Sequence, residues 1–248
     1  MRIPCAALLG LMLLATAASP VQAGPCDAPA EWLDSDAPLP ITAEAVREGA
    51  LRILVVGSAS VLGPGSSGPA AAWPARLEAR LRALRPGLRV EVAVRGGRGL
   101  TAADMLTLLD AAANPPPHLV IWQAGTVEAA RGVDTDWLAT RLDAGLTKLG
   151  ERGIDAVLMD QQFSRFMRAN ADIEPYRAVL RIAAATHGVP LFNRYELMQH
   201  WADNESIDLE RTPREGRVAA ADRLGECLGQ SLAALILDAV ADALVTRP

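Results

Sequence analysis

Two serine hydroxyls flank an alanine where the first apolar strand of the chain is expected to end. The stretch "VVGSASVLGPGSSG" begins at Val55 and places Ser58 and Ser60 on either side of Ala59. A serine at such a turn attacks a carbonyl carbon if a base takes its proton. Glycines in such a loop can instead bring backbone N–H groups to a phosphate. The stretch is therefore compatible with two functions, acyl transfer and nucleotide binding.

The spacing of the glycines argues against nucleotide binding. Gly63, Gly65 and Gly68 match the pattern G-x-G-x-x-G, which works where a strand passes directly into a helix. Here the predicted strand ends at Gly57 and the next predicted helix begins near Trp73. The three glycines therefore lie in the loop between them and not at the strand-to-helix junction. The sequence therefore disfavours a dinucleotide site.

Apolar strands alternate with amphipathic helices along the rest of the chain, which is typical of a parallel sheet covered by helices on both faces. Strands are predicted at 51–56, 88–94, 119–123, 154–159 and 189–192. Helices are predicted at 73–84, 101–112, 134–152, 174–186, 195–201 and 218–245. Ligands bind beyond the carboxyl ends of such strands. The predicted site is therefore built from the loops 57–72, 94–100, 124–133 and 160–173.

The first 23 residues have the features of a secretory signal. Arg2 precedes an apolar run from Ala6 to Ala17, and small residues stand before a predicted cleavage after Ala23. The run is shorter than the roughly 20 apolar residues that a membrane span needs. The sequence predicts a periplasmic or secreted protein with no membrane span in the mature chain.

Composition and cysteine content indicate the domain organisation and the classes of partner. Residues 24–48 are rich in Pro, Ala and Asp and are predicted to form an extended lead-in to a single domain at 49–248. The net charge of −5 argues against a nucleic-acid partner. No spacing of His, Cys and Asp indicates a metal site, and no cofactor is predicted. Cys26 and Cys227 remain in an exported chain and are predicted to form a disulfide, with two unpaired thiols as the alternative.

The order of these blocks resembles the SGNH/GDSL hydrolases, in particular an exported bacterial subgroup whose first block reads Gly-Ser-Ser-Ser-Thr. "ILVVGSASVLGPGSS" aligns with that block, "VRGGRGLTA" with the second and "IWQAGTVEAARG" with the third, and "CLGQSLAALI" resembles the closing helix. The resemblance covers nearly all of the mature chain. It implies a three-layer α/β/α, flavodoxin-like fold with a mostly five-stranded parallel sheet, and a site for ester hydrolysis.

The chain departs from that family at the residues that carry the chemistry. By the resemblance, the nucleophile position falls on Ala59, the oxyanion-hole asparagine on Val127 and the histidine on Ala219. Only the oxyanion-hole glycine is kept, at Gly99. Alanine supplies neither a nucleophile nor a proton, and these groups work as a unit. The resemblance therefore implies an inactive or strongly impaired member that retains a binding cleft.

A displaced nucleophile is the alternative. An active ester or acyl hydrolase that uses Ser60 would need a base that the sequence does not identify. His118 and His187 precede strands, at the wrong end of the sheet, and His200 lies in a helical segment, so we expect none of them to serve Ser60.

The candidate cleft residues are those placed at the carboxyl ends of the strands: Ser58, Ser60, Gly99, Glu128 and Asp160. For the two carboxylates, solvation in a loop or helix capping is the expected role. The ligands predicted for the cleft are a glycan, an acyl group or a protein of the cell envelope, and the sequence does not choose among them.

Overall fold

The computed structural model describes residues 26–35, 37–110 and 115–245. The predicted signal segment 1–23, with its cleavage after Ala23, lies outside these residues, as does the end of the predicted helix 101–112.

Five parallel strands form one sheet, as the sequence predicts. They are β1 Ala50–Gly57, β2 Arg89–Gly96, β3 Leu119–Gln123, β4 Asp155–Met159 and β5 Leu191–Phe192. Their order is β2-β1-β3-β4-β5, which is the flavodoxin-like order, and the chain changes direction across the sheet between β1 and β3. β5 is shorter than the predicted strand 189–192, because Pro190 has no N–H for a ladder bond.

Nine α-helices connect or flank these strands in the described residues. They are α1 Pro40–Arg47, α2 Trp73–Leu84, α3 Ala102–Asp110, α4 Thr126–Arg131, α5 Thr135–Glu151, α6 Arg165–Asn170, α7 Glu174–His187, α8 Arg194–Asp203 and α9 Arg217–Val245. The long helices confirm the predicted pattern. The short helices α4 and α6 lie in segments that were predicted as loops.

Successive residues of each strand point to opposite faces of the sheet, and this alternation separates two cores. On one face, Ile53 and Val55 pack with Trp73 and Leu77 of α2 and with α9. On the other face, Val56 and Trp122 of the strands pack with α3, α5 and α7. The chain is therefore a three-layer α/β/α structure, as predicted.

The predicted extended lead-in 24–48 is wrong for its second half, which is the helix α1. Pro40 stands at the first turn, where its missing N–H costs nothing. Ala43 and Ala45 are buried in the same core as α9. A carboxylate oxygen of Asp155, at the start of β4, accepts the N–H of Thr42 at 2.7 Å and so caps the helix. The cap comes from 113 residues away, which local composition does not reveal.

The long last helix is a core element. The segment Arg214–Val245 has the length and hydropathy of a membrane span, yet 56% of its most apolar window is buried inside the protein. Cys227 on α9 is bonded to Cys26, which confirms the predicted disulfide and ties the N-terminal segment to this helix.

Candidate functional site

The turn after β1 packs directly on the end of β3, at the point where the strand order reverses. A Cβ atom added to Gly57 would lie 2.5 Å from Cγ1 of Val61 and 3.0 Å from Cβ of Gln123. Only glycine permits this approach. It places Ser58, Ala59 and Ser60 beside the carboxyl end of β3, where ligands bind in such sheets.

Four side chains form a continuous run of hydrogen bonds across this edge. Arg194 Nη1 donates to Ser60 Oγ at 3.0 Å. Ser60 Oγ donates to Gln123 Oε1 at 2.7 Å, and Gln123 Nε2 donates to Ser58 Oγ at 2.9 Å. The hydroxyl proton of Ser60 is thus directed at an amide oxygen, which is no base, and its oxygen is bound to a guanidinium.

Arg194 is the buried cation of the site. It follows β5 at the start of α8, and only 1% of its surface is exposed. Burial lowers the pKa of Arg194 to about 10, while the carboxylate of Asp160 acts in the opposite direction. Arg194 therefore keeps its proton at neutral pH and cannot take one from Ser60.

Asp160 directly follows β4 and is almost fully buried, so of its two expected roles, loop solvation and helix capping, solvation is wrong and capping is correct. Its carboxylate accepts the N–H of Tyr195 at 2.9 Å, at the first turn of α8, and Nε of Arg177 at 3.2 Å. Burial raises the pKa of Asp160, and the Tyr195 N–H and the two arginines Arg177 and Arg194 oppose that rise. Asp160 therefore anchors the segment that carries Arg194.

Glu128 is a capping residue with 0% of its surface exposed. One carboxylate oxygen accepts the N–H of Ala102 at 2.5 Å, and the other accepts the N–H of Gly125 at 3.1 Å. The predicted capping role is correct and the predicted solvation is wrong. Glu128 joins the start of α3 to the start of α4, and both oxygens have backbone partners.

The family positions are only partly brought together. Gly99 precedes α3 with φ +75°, and a Cβ added to it would lie 2.8 Å from Nη2 of Arg131 on α4. Val127, one turn before Arg131, is partly exposed on the same helix. Ala219 is exposed on α9, where it lines an open cavity with Ile207 and neighbouring residues rather than the cavity beside Ser60.

The three histidines of the chain all lie away from Ser60. His118 contacts Arg52 before β3, at the amino ends of the strands. His187 pairs with Asp143 at the end of α7, and His200 packs edge-on against Trp32. None forms a hydrogen bond to Ser60, as the sequence predicts. Within residues 26–35, 37–110 and 115–245, no group of three or more His, Cys, Asp or Glu is arranged to hold a metal ion.

A small cavity opens beside Ser60 on the face that carries α2 and α9. Its volume is about 90 Å³, and its lining includes Ser60, Arg194, Trp73 and Met198. A second cavity of about 140 Å³ shares Met198 with it. The arrangement can hold a small molecule next to the only hydroxyl in the turn that has a cationic neighbour.

Two central residues, Gln123 and Arg194, were not among the predicted site residues. Gln123 is the polar end of an otherwise apolar strand, which is a signal in the sequence. Arg194 directly follows Asn193 after the last strand, a loop that the prediction left out. Applying the carboxyl-end rule to all five strands would have included both.

Several solved structures have a similar fold, and acetylxylan esterases are among them. TesA aligns with a TM-score of 0.56 at 23% identity, over 73% of this chain and 97% of that one. A catalytic mutant of Axe2, an acetylxylan esterase from Geobacillus stearothermophilus, aligns with a TM-score of 0.58 at 16% identity, over 73% and 94%. The acetyl xylan esterase AlAXEase gives 0.52 at 18% identity, over 70% and 97%. Such identities establish the fold alone.

No curated protein matches the chain by sequence. A profile of the non-GDSL lipase-like family, in contrast, matches residues 25–242, which is nearly all of the part that folds into the α/β/α structure. The match agrees with the SGNH/GDSL-like fold. The chain belongs to the non-GDSL lipase-like family.

Proposed function

We propose that this chain is an exported, non-hydrolysing member of the SGNH/GDSL-like fold that binds a ligand at the carboxyl edge of its sheet. One observation carries the proposal. The nucleophile position of the resemblance falls on Ala59, while the adjacent Ser60 hydroxyl is held between the amide of Gln123 and the guanidinium of Arg194. Serine catalysis needs a base within hydrogen-bond reach, and neither partner is one.

Export is supported by two features. The first 23 residues have the pattern of a cleavable signal, and Cys26 and Cys227 form a disulfide, which persists mainly in oxidising compartments. A periplasmic or extracellular location would expose the site to glycans, acyl compounds and proteins of the cell envelope.

Ester hydrolysis by Ser60 is the competing function, and Arg194 is the feature that favours it, because a cation beside a hydroxyl stabilises the alkoxide. The test is the steady-state hydrolysis of p-nitrophenyl acetate by the mature protein, with Ser58→Ala and Ser60→Ala as variants. We expect all three proteins to hydrolyse the ester at the same background rate. Activity of the wild type that disappears in Ser60→Ala but not in Ser58→Ala would establish the competing function.

A further inference from the structure

Two side chains that line the cavity beside Ser60 carry buried donors that have no partner. Arg194 uses Nη1 for Ser60, but its Nε and Nη2 atoms have no hydrogen-bond acceptor among the described residues. Trp73 lines the same cavity, is almost fully buried, and its Nε1 also lacks an acceptor there. A buried donor without an acceptor destabilises the folded protein.

All three unpartnered atoms are donors, and one side chain is a cation. Their chemical complement is therefore an acceptor with negative charge. A guanidinium donates two parallel N–H bonds to a carboxylate or a phosphate, and of these the planar carboxylate is the smaller group. An ester carbonyl carries no charge and offers a single acceptor oxygen, so it fits these donors less well.

Most of the rest of the lining is apolar, with Ser66 and Gln162 as the polar exceptions. Met198, Leu209 and Leu224 line both this cavity and the adjoining one of about 140 Å³. An unbranched hydrocarbon chain that starts at Arg194 could therefore pass between Met198 and Leu224 towards the second cavity.

The carboxylates of the second cavity are already occupied. Asp208 accepts from Arg165 and from the backbone N–H of Arg211. Glu210 accepts the hydroxyl of Ser164 and the backbone N–H of Arg165. The unpartnered donors of Arg194 and Trp73 thus have no carboxylate partner in either cavity.

We propose that the cavity binds a short, unbranched monocarboxylate, with its carboxylate on Arg194 and Trp73 Nε1 and its chain between Met198 and Leu224. The inference rests on the proposed function, because it identifies the class of ligand that the non-hydrolysing site would hold.

The first test compares ligands in the wild-type protein. Binding of hexanoate and of hexanamide, which has the same chain and no charge, is measured by ligand-observed NMR and calorimetry at neutral pH, with acetate and inorganic phosphate as further probes. We expect saturable binding of hexanoate at least about tenfold tighter than that of hexanamide, since hydrogen bonds between two charged groups are stronger than those to a neutral amide. Acetate should bind more weakly than hexanoate because it lacks the chain. Equal binding of hexanoate and hexanamide, tighter binding of phosphate, or no saturable binding of hexanoate would overturn the proposal.

The second test uses variants of the donors. Arg194→Met should weaken hexanoate binding about tenfold or more and leave hexanamide binding nearly unchanged, whereas Arg194→Lys should retain part of the preference for the anion. The exposed Arg89 at the far edge of the sheet provides the control Arg89→Met, which should bind like the wild type. If Arg194→Met does not fold, hexanoate binding is measured in Arg194→Lys and Trp73→Phe instead. Wild-type affinity for hexanoate in Arg194→Lys and in Trp73→Phe would refute the assignment.

Hydrolysis of p-nitrophenyl butyrate, measured on the same samples, separates the two claims. Turnover that depends on Ser60 would overturn the proposed function even if hexanoate binds as a product. Absence of turnover together with absence of hexanoate binding would overturn the carboxylate assignment alone.

Discussion

Ser60 donates its hydroxyl proton to Oε1 of Gln123 at 2.7 Å, across the boundary between β1 and β3. The amide in turn donates to Ser58, so the orientation of the Gln123 amide and the direction of the Ser60 proton are fixed together. A serine that serves as a nucleophile must direct its proton at a base. This bond makes Ser60 part of the framework of the sheet edge.

The first prediction concerns the stability of that framework. Ser60→Ala leaves the buried Oε1 of Gln123 without its donor and Nη1 of Arg194 without its acceptor. We expect the free energy of unfolding to fall by about 1–3 kcal/mol, measured by urea denaturation. Ser206→Ala removes a hydroxyl that donates at 3.2 Å to the carbonyl of Trp201 and should cost less than about 1 kcal/mol. Equal losses in the two variants would contradict this role of Ser60.

The second prediction concerns the entry to α4. Gly125 has φ +88°, and an added Cβ would lie 2.3 Å from Nε2 of Gln161 and 2.8 Å from Cδ1 of Leu180. Gly132, at the other end of the same helix, has φ +64° and nothing within 4 Å of an added Cβ. We expect Gly132→Ala to cost about 1–2 kcal/mol from backbone strain alone. Gly125→Ala should cost roughly a further 1–3 kcal/mol because the buried side chains must move. Similar unfolding free energies for the two variants would mean that the side chain of Gln161 moves aside without loss of stability, and would contradict this prediction.

The third prediction concerns pH. Burial raises the pKa of Asp155 above its ordinary value of 3.8, although the N–H of Thr42 opposes the rise. The native protein therefore holds this proton more tightly than the unfolded chain, and the contribution of Asp155 to stability declines as the pH rises from 3.8 through the raised value. Asp155→Asn keeps an acceptor for Thr42 and has no proton to lose.

The measurement is urea denaturation of both proteins between about pH 3 and pH 7, a range that spans the ordinary titration of Asp. The stability of the wild type minus that of Asp155→Asn should decrease towards neutral pH. A difference that instead increases with pH would mean that the bond to Thr42 outweighs burial.

The fourth prediction concerns the disulfide. Reduction should lower the free energy of unfolding by about 2–5 kcal/mol, because Cys26 and Cys227 close most of the chain into one loop. Denaturation with and without dithiothreitol measures the loss, and alkylation before and after reduction checks by mass that both thiols were bonded. The double variant Cys26→Ser/Cys227→Ser serves as the control and should not respond to the reductant. A wild type whose free energy of unfolding also does not change on reduction would contradict the predicted contribution of the disulfide.

Much of the fold follows from local patterns in the sequence. The apolar runs of β1, β3 and β4 and the amphipathic spacing of α2, α5 and α7 are local signals that packing reinforces. The helix α1 was missed because its cap, Asp155, is distant in the chain and its buried alanines are few. The predicted strand 189–192 is longer than β5 because apolar character alone does not reveal that Pro190 lacks an N–H for the sheet.

The candidate site was predictable in outline only. Its position at the carboxyl ends of the strands follows from topology, and Ser58, Ser60 and Asp160 lie where that rule places them. Their partners do not follow, since the bond from Arg194 to Ser60 spans 134 residues and depends on the close packing of strand ends. Burial of Glu128 and Asp160 likewise arises from contacts that local polarity does not encode.

Reactivity towards a fluorophosphonate serine probe tests the central claim most directly, because labelling requires an activated hydroxyl and no particular substrate. The mature wild type and Ser60→Ala are incubated with the probe and their intact masses are compared. The bond from Ser60 to Gln123 predicts that neither protein gains the mass of the adduct. An adduct on the wild type that is absent from Ser60→Ala would show that Ser60 is an active nucleophile and would contradict the account.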